Sequence, residues 1–370
     1  MTRVLVAGLG DTGVLCAGAL ARRAMVRRGV SITGVSPTTG LVSGQELGLR
    51  LTRPDAWSRD YRIPYRAFRR LDRVDVVHGR LVSSDLAART VSVVGADGSP
   101  RELGYDVLVV ATGVANGFWR SDAVRTDDAV ATDLADRHAR LAAAGSVAVV
   151  GGGAAAVSAA YNVAVRWPGK RVDLYFPGER GLPQHHGRTW AGVQRRLEAA
   201  GVVLHPGHRA VLPASDEPAP GPVEWSTAQP AAEADLVLWA VGRVRPHTGW
   251  LPDSVLDEGG FVRTGPDLRV PGVDGVFAIG DVAATDPLRS TARNFQHRVL
   301  AANVAAYLDG RPLQEISLPG RRWGSVLGPQ RTGLEVFNPS GRPFRIPRVV
   351  VDRALQPWVV KKGIYGGVRR

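Results

Sequence analysis

Two glycine-rich turns, each placed between a predicted strand and a predicted helix, constrain the fold of this 370-residue chain more than any other feature. The first turn reads G-L-G-D-T-G at 8–13 and connects a strand predicted over 3–7 with a helix predicted over 14–28. In a G-x-G-x-x-G pattern, the first glycine permits the turn, the second lets a pyrophosphate approach the backbone, and the third lets the helix pack on the strand. The pattern therefore predicts a dinucleotide site. The next strand, predicted over 31–35, ends at Ser36, where an acid that holds a ribose is expected.

The same arrangement occurs a second time. The turn G-G-G-A-A-A at 151–156 follows a strand predicted over 146–150, and Ala156 in place of the third glycine is a change that the pattern allows. The following strand ends at Phe176, so no carboxylate there repels a 2′-phosphate. Arg180 is close enough in sequence to pair with such a phosphate; alternatively, it caps a loop. The chain therefore predicts two dinucleotide sites, of which the second tolerates NADPH.

Composition limits the class of protein. A length of 370 residues and a hydrophobic content of 44% predict two or three folded domains rather than a disordered chain. The single cysteine, Cys16, excludes disulfide frameworks and cysteine-based metal sites, and the eight histidines lack metal-site spacing, so no metal is predicted. Residues 1–28 and 141–165 resemble an export signal and a membrane span, but each contains one of the glycine turns. We therefore expect both segments to be buried and the protein to be cytoplasmic.

The net charge of +13 is concentrated near the end of the chain. Residues 321–370 hold eleven Lys or Arg against Glu335 and Asp352, which gives this segment a net charge of +9. This charge, together with interspersed apolar residues, favours peripheral contact with the inner face of an anionic membrane. We do not expect nucleic acid as a partner. The alternative is that the apolar residues pack on the rest of the protein, because Pro357 and other prolines interrupt a long amphipathic helix.

Further motifs follow three other predicted strands. One strand runs into A-T-G at 111–113, and another ends at Gly280-Asp281 before a helix. The Asp281 carboxylate could accept hydrogen bonds from a ribityl chain, or it could cap the helix. Between these two strands, the segment 234–246 is predicted to be a strand that ends in a glycine turn, at Gly242.

The helix predicted over 294–308 carries two candidate catalytic side chains near its start. The amide of Gln296 could position a bound ligand through a hydrogen bond to a carbonyl oxygen. His297 could donate a proton to a reduced acceptor, because histidine titrates near neutral pH. Alternatively, His297 is a surface residue of the helix.

The order of these motifs along residues 1–315 resembles that of the two-dinucleotide-binding-domain flavoproteins. The absence of a C-x-x-C pair excludes their disulfide-reductase branch. The chain is therefore similar to the apoptosis-inducing-factor and type II NADH dehydrogenase branch. Members of that branch pass electrons from NAD(P)H through FAD to a quinone or another acceptor.

The resemblance implies which residues bind each cofactor. It assigns FAD to Gly8, Gly10, Asp11, Thr12, Gly13, Ser36, Leu81, Ala111, Thr112, Gly113, Gly280 and Asp281. It assigns NADH or NADPH to Gly151, Gly153, Ala156, Arg180 and Gly242. The chain departs from the family at Ser36, which replaces the ribose acid, and at Ser158, which replaces a common glutamate. It also departs at Thr291, which occupies one of two glutamine positions near the flavin, whereas Gln296 keeps the other.

We therefore expect an α/β fold with two Rossmann-like domains: an FAD domain, formed by 1–117 and 245–315, interrupted by an NAD(P) domain at 118–244. A basic C-terminal segment covers 316–370. The expected function is a FAD-dependent oxidoreductase that passes hydride from NAD(P)H through FAD to a quinone-like or other small-molecule acceptor. The alternatives are a flavin-dependent tailoring enzyme of a biosynthetic pathway and a flavin-free nucleotide-binding partner protein.

Overall fold

The structure of the chain is a computed structural model that describes residues 1–26, 29–116, 123–242, 244–289, 296–318 and 320–369. Most strands belong to two sheets, and the helices cover the faces of those sheets. The strands are β1 (Thr2–Ala7), β2 (Val30–Ser36), β3 (Gly40–Val42), β4 (Arg62–Pro64), β5 (Asp75–Asp85), β6 (Thr90–Gly95), β7 (Pro100–Gly104), β8 (Val107–Val110), β9 (Val114–Asn116), β10 (Ser146–Val150), β11 (Arg171–Tyr175), β12 (Val202–His205), β13 (Ala219–Val223), β14 (Ala232–Trp239), β15 (Val244–Pro246), β16 (Val276–Ala278), β17 (Gly333–Phe337) and β18 (Pro343–Pro347). The helices are α1 (Asp11–Val26), α2 (Leu47–Thr52), α3 (Pro54–Tyr61), α4 (Asp127–Ala143), α5 (Ala154–Arg166), α6 (Gly187–Ala199), α7 (Gln296–Leu308) and α8 (Arg348–Val350), followed by a π-helix, Val351–Ile364.

The first sheet has seven strands in the order β16-β8-β1-β2-β5-β6-β7. The five strands from β16 to β5 are parallel, and β6 and β7 add an antiparallel edge. All four residues of β8, from Val107 to Val110, are fully buried. Such an unbroken apolar run is typical of a parallel strand that is covered on both faces. On one of those faces, α1 and α7 pack in a shared apolar core that includes Cys16 and Leu300.

The second sheet has five strands in the order β12-β11-β10-β14-β13. Its first four strands are parallel, and β13 is an antiparallel edge strand. Apolar residues of α5 and α6, among them Val157 and Val193, form one core with this sheet. The two predicted glycine turns therefore lie at the carboxyl ends of β1 and β10, at the start of α1 and α5. The predicted α/β class with two Rossmann-like units is confirmed.

Most local predictions match the structure, with a difference at the start of α1. β10 and β11 have the predicted bounds, but α1 begins at Asp11 because the turn passes directly into the helix. As predicted, the strand within 234–246 ends in a glycine turn: β14 ends at Trp239 and the chain turns at Gly242 (φ 74°), after which the short strand β15 does not continue in the second sheet. β15 pairs instead with β9 in a separate two-stranded sheet. The predicted domain limit at 117/118 lies outside the described residues, and the limit at 244/245 lies within β15.

In the C-terminal segment, some apolar residues pack on the rest of the protein and others are exposed. The hairpin β17–β18 turns at Gly341, and the π-helix continues through Pro357, which the sequence predicted to interrupt a helix. Pro357 therefore removes one N–H donor from the helix without ending it. Tyr365 is buried in the core of the first sheet and Val351 is also buried, whereas Trp358 is 60% exposed. In the described ranges, no helix has the length and hydropathy needed to cross a membrane.

Candidate functional site

A cavity of about 380 Å³ lies at the carboxyl ends of the first sheet's parallel strands. In open parallel sheets this edge is where ligands bind. Most of the residues that the sequence assigned to FAD line it: Gly8, Gly10, Asp11, Thr12, Ser36, Leu81, Ala111, Thr112, Gly113, Gly280 and Asp281. The fold thus collects, at one edge, residues from five separate segments of the chain.

In the first glycine turn, Gly8 and Gly13 are closely packed and Gly10 has open space beside it. Gly8 has φ 97°, and a Cβ on it would lie 2.6 Å from the carbonyl oxygen of Ala111. A Cβ on Gly13 would lie 1.8 Å from the carbonyl oxygen of Gly8, so that only glycine lets α1 approach the turn. Around Gly10, by contrast, no atom lies within 4 Å of the Cβ position, and the residue lines the cavity. This turn leaves room for a pyrophosphate beside the backbone at the N-terminus of α1.

Asp11 and the A-T-G segment hold the cavity wall in place. The Asp11 carboxylate accepts hydrogen bonds from Ser43 Oγ at 2.6 Å and from the Gly44 amide at 2.8 Å. Thr112 Oγ1 donates to the carbonyl oxygen of His247 at 2.8 Å, and the His247 amide donates to Gly113 at 3.0 Å. These contacts join segments of the cavity wall that are distant in the chain.

The position of the missing ribose acid is occupied by a network of hydroxyl groups. Ser36 is 2% exposed, and its Oγ lies 2.8 Å from the phenol oxygen of Tyr65 and 3.3 Å from Thr38 Oγ1. The Tyr65 hydroxyl also donates to the carbonyl oxygen of Leu9 in the first glycine turn, at 2.9 Å. Burial raises the pKa of Tyr65 to about 12, so the phenol keeps its proton at neutral pH. The network links the end of β2 to the turn without a charge.

Sequence reasoning missed several residues of this cavity. Those that approach from segments without a recognisable motif are Thr38, Tyr65, Arg80, Arg125, His247 and Trp250. Arg80 could have been predicted from the sequence, because it directly precedes Leu81 on β5. The others come to the cavity only through tertiary packing.

The second glycine turn has a comparable local geometry. Gly151 has φ 138°, and a Cβ on it would lie 2.1 Å from the carbonyl oxygen of Ala240. Gly153 is the N-cap of α5 and has open space at its Cβ position, and Ala156 is fully buried below it. Gly242 lies in the turn after β14, the strand that pairs with β10. The turn after β10 is thus shaped like the first one.

Arg180 lies in the loop that follows β11 and is exposed. Its described polar contact is a 3.5 Å hydrogen bond from Nη2 to the carbonyl oxygen of Pro183. Phe176, at the position of the expected acid, is 2% exposed and packs edge-on against Trp190 at a centroid distance of 5.5 Å. The end of β11 therefore carries no carboxylate, and an arginine with an accessible guanidinium lies four residues further on.

Gln296 and His297 are both buried at the start of α7, and neither lines the described cavity. Both polar atoms of the Gln296 side chain are buried without a hydrogen-bond partner in the described part of the chain. Burial and, to a smaller extent, Arg298 and Arg70 lower the pKa of His297 to about 4. A neutral imidazole at pH 7 disfavours the predicted role as a proton donor, and its burial shows that it is not a surface residue. Thr291 lies outside the described residues.

Two glycine turns at the carboxyl ends of parallel strands, in two separate sheets, define a protein with two Rossmann-like dinucleotide-binding units. Residues 2–306 match the family described as pyridine nucleotide-disulphide oxidoreductase, and the chain belongs to that family. This membership confirms the resemblance to FAD- and NAD(P)-dependent oxidoreductases that the motif order indicated.

Named relatives are similar over part of their length. The chain is 27% identical over 244 residues to oxidoreductase ptaL of Pestalotiopsis fici and 28% identical over 259 residues to Fe-regulated protein 8 of Mycosarcoma maydis. Each match covers 65% of this chain and 64% of the relative, so the chain spans slightly less than two thirds of the length of these proteins.

Among solved structures, the fold is similar to that of the sulfide:quinone oxidoreductase from Aquifex aeolicus. The TM-score is 0.71 at 16% identity, covering 99% of this chain and 92% of the other. A NAD-dependent persulfide reductase from A. fulgidus has a TM-score of 0.66 at 21% identity, covering 85% of this chain and 60% of the other. At these identities, the similarity shows a common fold.

Proposed function

We propose that the protein is a FAD-dependent oxidoreductase that oxidises NADH or NADPH and reduces a small-molecule acceptor. The observation that carries this proposal is the pair of glycine turns, with the first opening into a cavity that also receives A-T-G at 111–113 and Gly280-Asp281. When bound, FAD supplies the chemistry by accepting two electrons from the nicotinamide and passing them to the second substrate. Overall, NAD(P)H and one proton from solvent reduce the acceptor by two electrons and two protons.

The residues at the first cavity fit FAD. A side chain at Gly10 would enter the space beside the backbone that a pyrophosphate needs, and glycine leaves this space open. The A-T-G segment and Gly280 line the cavity, and a Cβ on Gly280 would lie 3.1 Å from Thr12 Oγ1. Asp281 lines the cavity, where its carboxylate would accept a hydrogen bond from a ribityl hydroxyl.

The residues at the second turn would bind the nicotinamide dinucleotide. Gly151 and Gly153 form the turn, and the free amides at the start of α5 would donate to the pyrophosphate. Arg180 would donate to the 2′-phosphate of NADPH, because no carboxylate at Phe176 competes for it. Gln296 remains a candidate for positioning the flavin or the acceptor, because its buried amide has no partner in the described chain.

A quinone-like acceptor fits a peripheral position at an anionic membrane, where such a molecule is dissolved. The π-helix supports this position, because Trp358 and Val359 are 60% and 50% exposed next to Lys362 and Arg353. Lys362 Nζ lies 4.3 Å from the centroid of the Trp358 ring, so charge and apolar surface occur together. We therefore include contact with an anionic lipid surface in the proposal.

An absorbance spectrum followed by anaerobic titration with NADH and NADPH tests the proposed function. We expect a flavin spectrum that bleaches with one equivalent of either nucleotide and recovers when a quinone is added. A protein that neither contains flavin nor takes up added FAD would overturn the proposal and favour a flavin-free nucleotide-binding protein. A flavin that no nicotinamide nucleotide reduces would also overturn it.

A further inference from the structure

The first cavity has an unusual charge distribution at the end of β2, where a Rossmann-like fold holds the adenosine ribose. Ser36 stands in place of the carboxylate, and Thr38, Arg80 and Arg125 line the cavity with it. Arg125 lies beside the hydroxyl network, because its amide donates to the carbonyl oxygen of Pro37 at 2.8 Å. This region of the wall therefore presents hydroxyl and guanidinium groups.

The two carboxylates among the described lining residues do not replace the missing acid. Asp281 follows β16, and β8 and β1 lie between β16 and β2. Strands are spaced about 4.8 Å apart, so Asp281 is about 14 Å from the end of β2. Asp11 lies closer, but its two oxygens already accept hydrogen bonds from Ser43 and Gly44.

Arg125 retains unused hydrogen-bonding capacity. Its Nε is buried and has no hydrogen-bond partner among the described residues. Its Nη1 forms a long ion pair, 3.6 Å, with Asp133 Oδ2, and the other oxygen of that carboxylate, Oδ1, lies 2.8 Å from Arg137 Nε. A buried donor without a partner favours a ligand that supplies an acceptor.

We infer that the first cavity accepts a phosphate group on the adenosine ribose, and that nucleotides carrying this group compete with FAD for it. In dinucleotide sites, an acid at the end of the second strand selects an unmodified ribose, whereas its absence with an arginine nearby accommodates the phosphate. Ser36 and Arg125 form this second arrangement at the site where FAD is proposed to bind, so the inference rests on the proposed function. Such a phosphate occurs at the 2′ position of NADP(H) and at the 3′ position of coenzyme A.

Displacement of FAD from the loaded protein tests the inference and separates the two sources of phosphate. The probes are 5′-AMP, adenosine 2′,5′-bisphosphate and adenosine 3′,5′-bisphosphate, and the readout is the fluorescence of released FAD. We expect one of the bisphosphates to release half of the FAD at a concentration about tenfold to a hundredfold lower than 5′-AMP, the effect of one charge-assisted phosphate contact. Whichever bisphosphate is preferred identifies the position of the phosphate.

Three variants show which residues are responsible. Ser36→Asp should abolish the preference for the bisphosphate, because the new carboxylate repels the phosphate. Arg125→Gln should reduce the preference about tenfold or more. If the buried aspartate prevents Ser36→Asp from folding, the Arg125→Gln result alone tests the inference. Arg195→Ala, at an exposed arginine on α6, should leave the preference unchanged. The inference would be overturned if all three probes displaced FAD equally or if none displaced it. It would also be overturned if the preference persisted in both Arg125→Gln and a folded Ser36→Asp. Protein that takes up no FAD would overturn the proposed function instead.

Discussion

Gly48 on α2 packs against Ser158 on α5 so closely that a Cβ on Gly48 would lie 2.7 Å from Ser158 Oγ. The same Cβ would lie 2.4 Å from Asn162 Nδ2, which itself donates to the carbonyl oxygen of Ser158 at 2.9 Å. Ser158 is 5% exposed at this contact. The family commonly carries a glutamate at this position, but here the two helices leave no volume for a longer side chain. The departure at Ser158 therefore reflects how α2 packs on the second sheet's core.

Ser158→Glu should lower the free energy of unfolding by about 3 kcal/mol or more, because it overpacks the contact and buries an unpaired carboxylate. Urea denaturation measures the change. Ser158→Ala is the matched control and should stay within about 1 kcal/mol of the wild type, since the described hydrogen bond from Asn162 to Ser158 Oγ is 3.5 Å long. A glutamate variant as stable as the wild type would show that the helices separate easily.

Gly10→Leu should abolish FAD binding while the protein stays folded. The Cβ position of Gly10 faces open space in the cavity, so a leucine side chain would occupy the volume proposed for the pyrophosphate. Flavin content after purification and far-UV circular dichroism provide the measurements. Gly169→Leu is the control, because Gly169 is exposed and equally open but lies far from the cavity in the loop after α5. Retention of a full equivalent of FAD by Gly10→Leu would place the cofactor elsewhere.

The parts of the fold that follow local rules were predictable from the sequence. β10 is apolar after its first residue, β11 alternates apolar with charged residues over its first four positions, and the predicted bounds of both strands are those of the structure. The glycine turns were predictable for the same reason, since the residues that a tight turn requires are adjacent in the chain. Helix α1 was placed three residues late, because the pattern does not show where a glycine turn becomes a helix.

The remainder of the candidate site depends on contacts between distant segments. Tyr65 meets Ser36 across 29 positions of the chain, and Thr112 meets His247 across 135. Neither Tyr65 nor His247 belongs to a motif, so no pattern indicated them. His297 illustrates the converse case: its residue type suggested proton transfer, but burial, which the sequence does not show, makes its imidazole neutral at pH 7.

Stability should fall as the pH is lowered from about 6.5 to 4. Burial lowers the pKa of both His185 and His297 to about 4, below the ordinary value of 6.5. Between these pH values, the unfolded chain binds protons that the folded protein does not. Each histidine therefore contributes a slope of about 1.4 kcal/mol per pH unit, and its contribution to stability is fully present above pH 6.5. Urea denaturation at several pH values measures the slope.

His297→Gln should reduce the pH dependence of stability by the contribution of one histidine, about 1.4 kcal/mol per pH unit. Val304→Ala, on the same helix, should lower stability at every pH and leave the pH dependence unchanged. A slope unaltered by His297→Gln would contradict the burial of this imidazole in its neutral form.

Arg180→Ala should weaken NADPH binding about tenfold to a hundredfold and change NADH binding less than about twofold, as expected for one charge-assisted phosphate contact. The wild-type protein should use NADPH at least as well as NADH, because Phe176 replaces the acid that would repel the phosphate. KM values for both nucleotides provide the measurement. Arg195→Ala, an exposed arginine on α6, controls for a general loss of positive charge. A wild-type protein that strongly prefers NADH would rule out this role of Arg180.

The C-terminal segment should bind anionic vesicles at low salt and release them at high salt. Its exposed face combines Trp358 and Val359 with Lys362, and each basic residue at an anionic surface contributes about 1 kcal/mol. Co-sedimentation with phosphatidylglycerol–phosphatidylcholine vesicles, compared with pure phosphatidylcholine vesicles, measures the interaction. The double change Trp358→Ser and Val359→Ser should abolish it. Leu212→Ser, which alters a 50% exposed residue outside this segment, should leave it intact.

The alternative to membrane binding is that the C-terminal segment only packs against the core of the first sheet. Val351 and Tyr365 are buried, and Lys361 Nζ forms an ion pair with Asp60 at 2.9 Å, so part of the segment has this role whether or not lipid is bound. The membrane test therefore depends on the outward face alone, because Trp358 and Val359 can be changed without touching the buried contacts. Equal binding to neutral and anionic vesicles, or no binding to either at low salt, would show that the basic segment is purely structural and that its arginines simply face water.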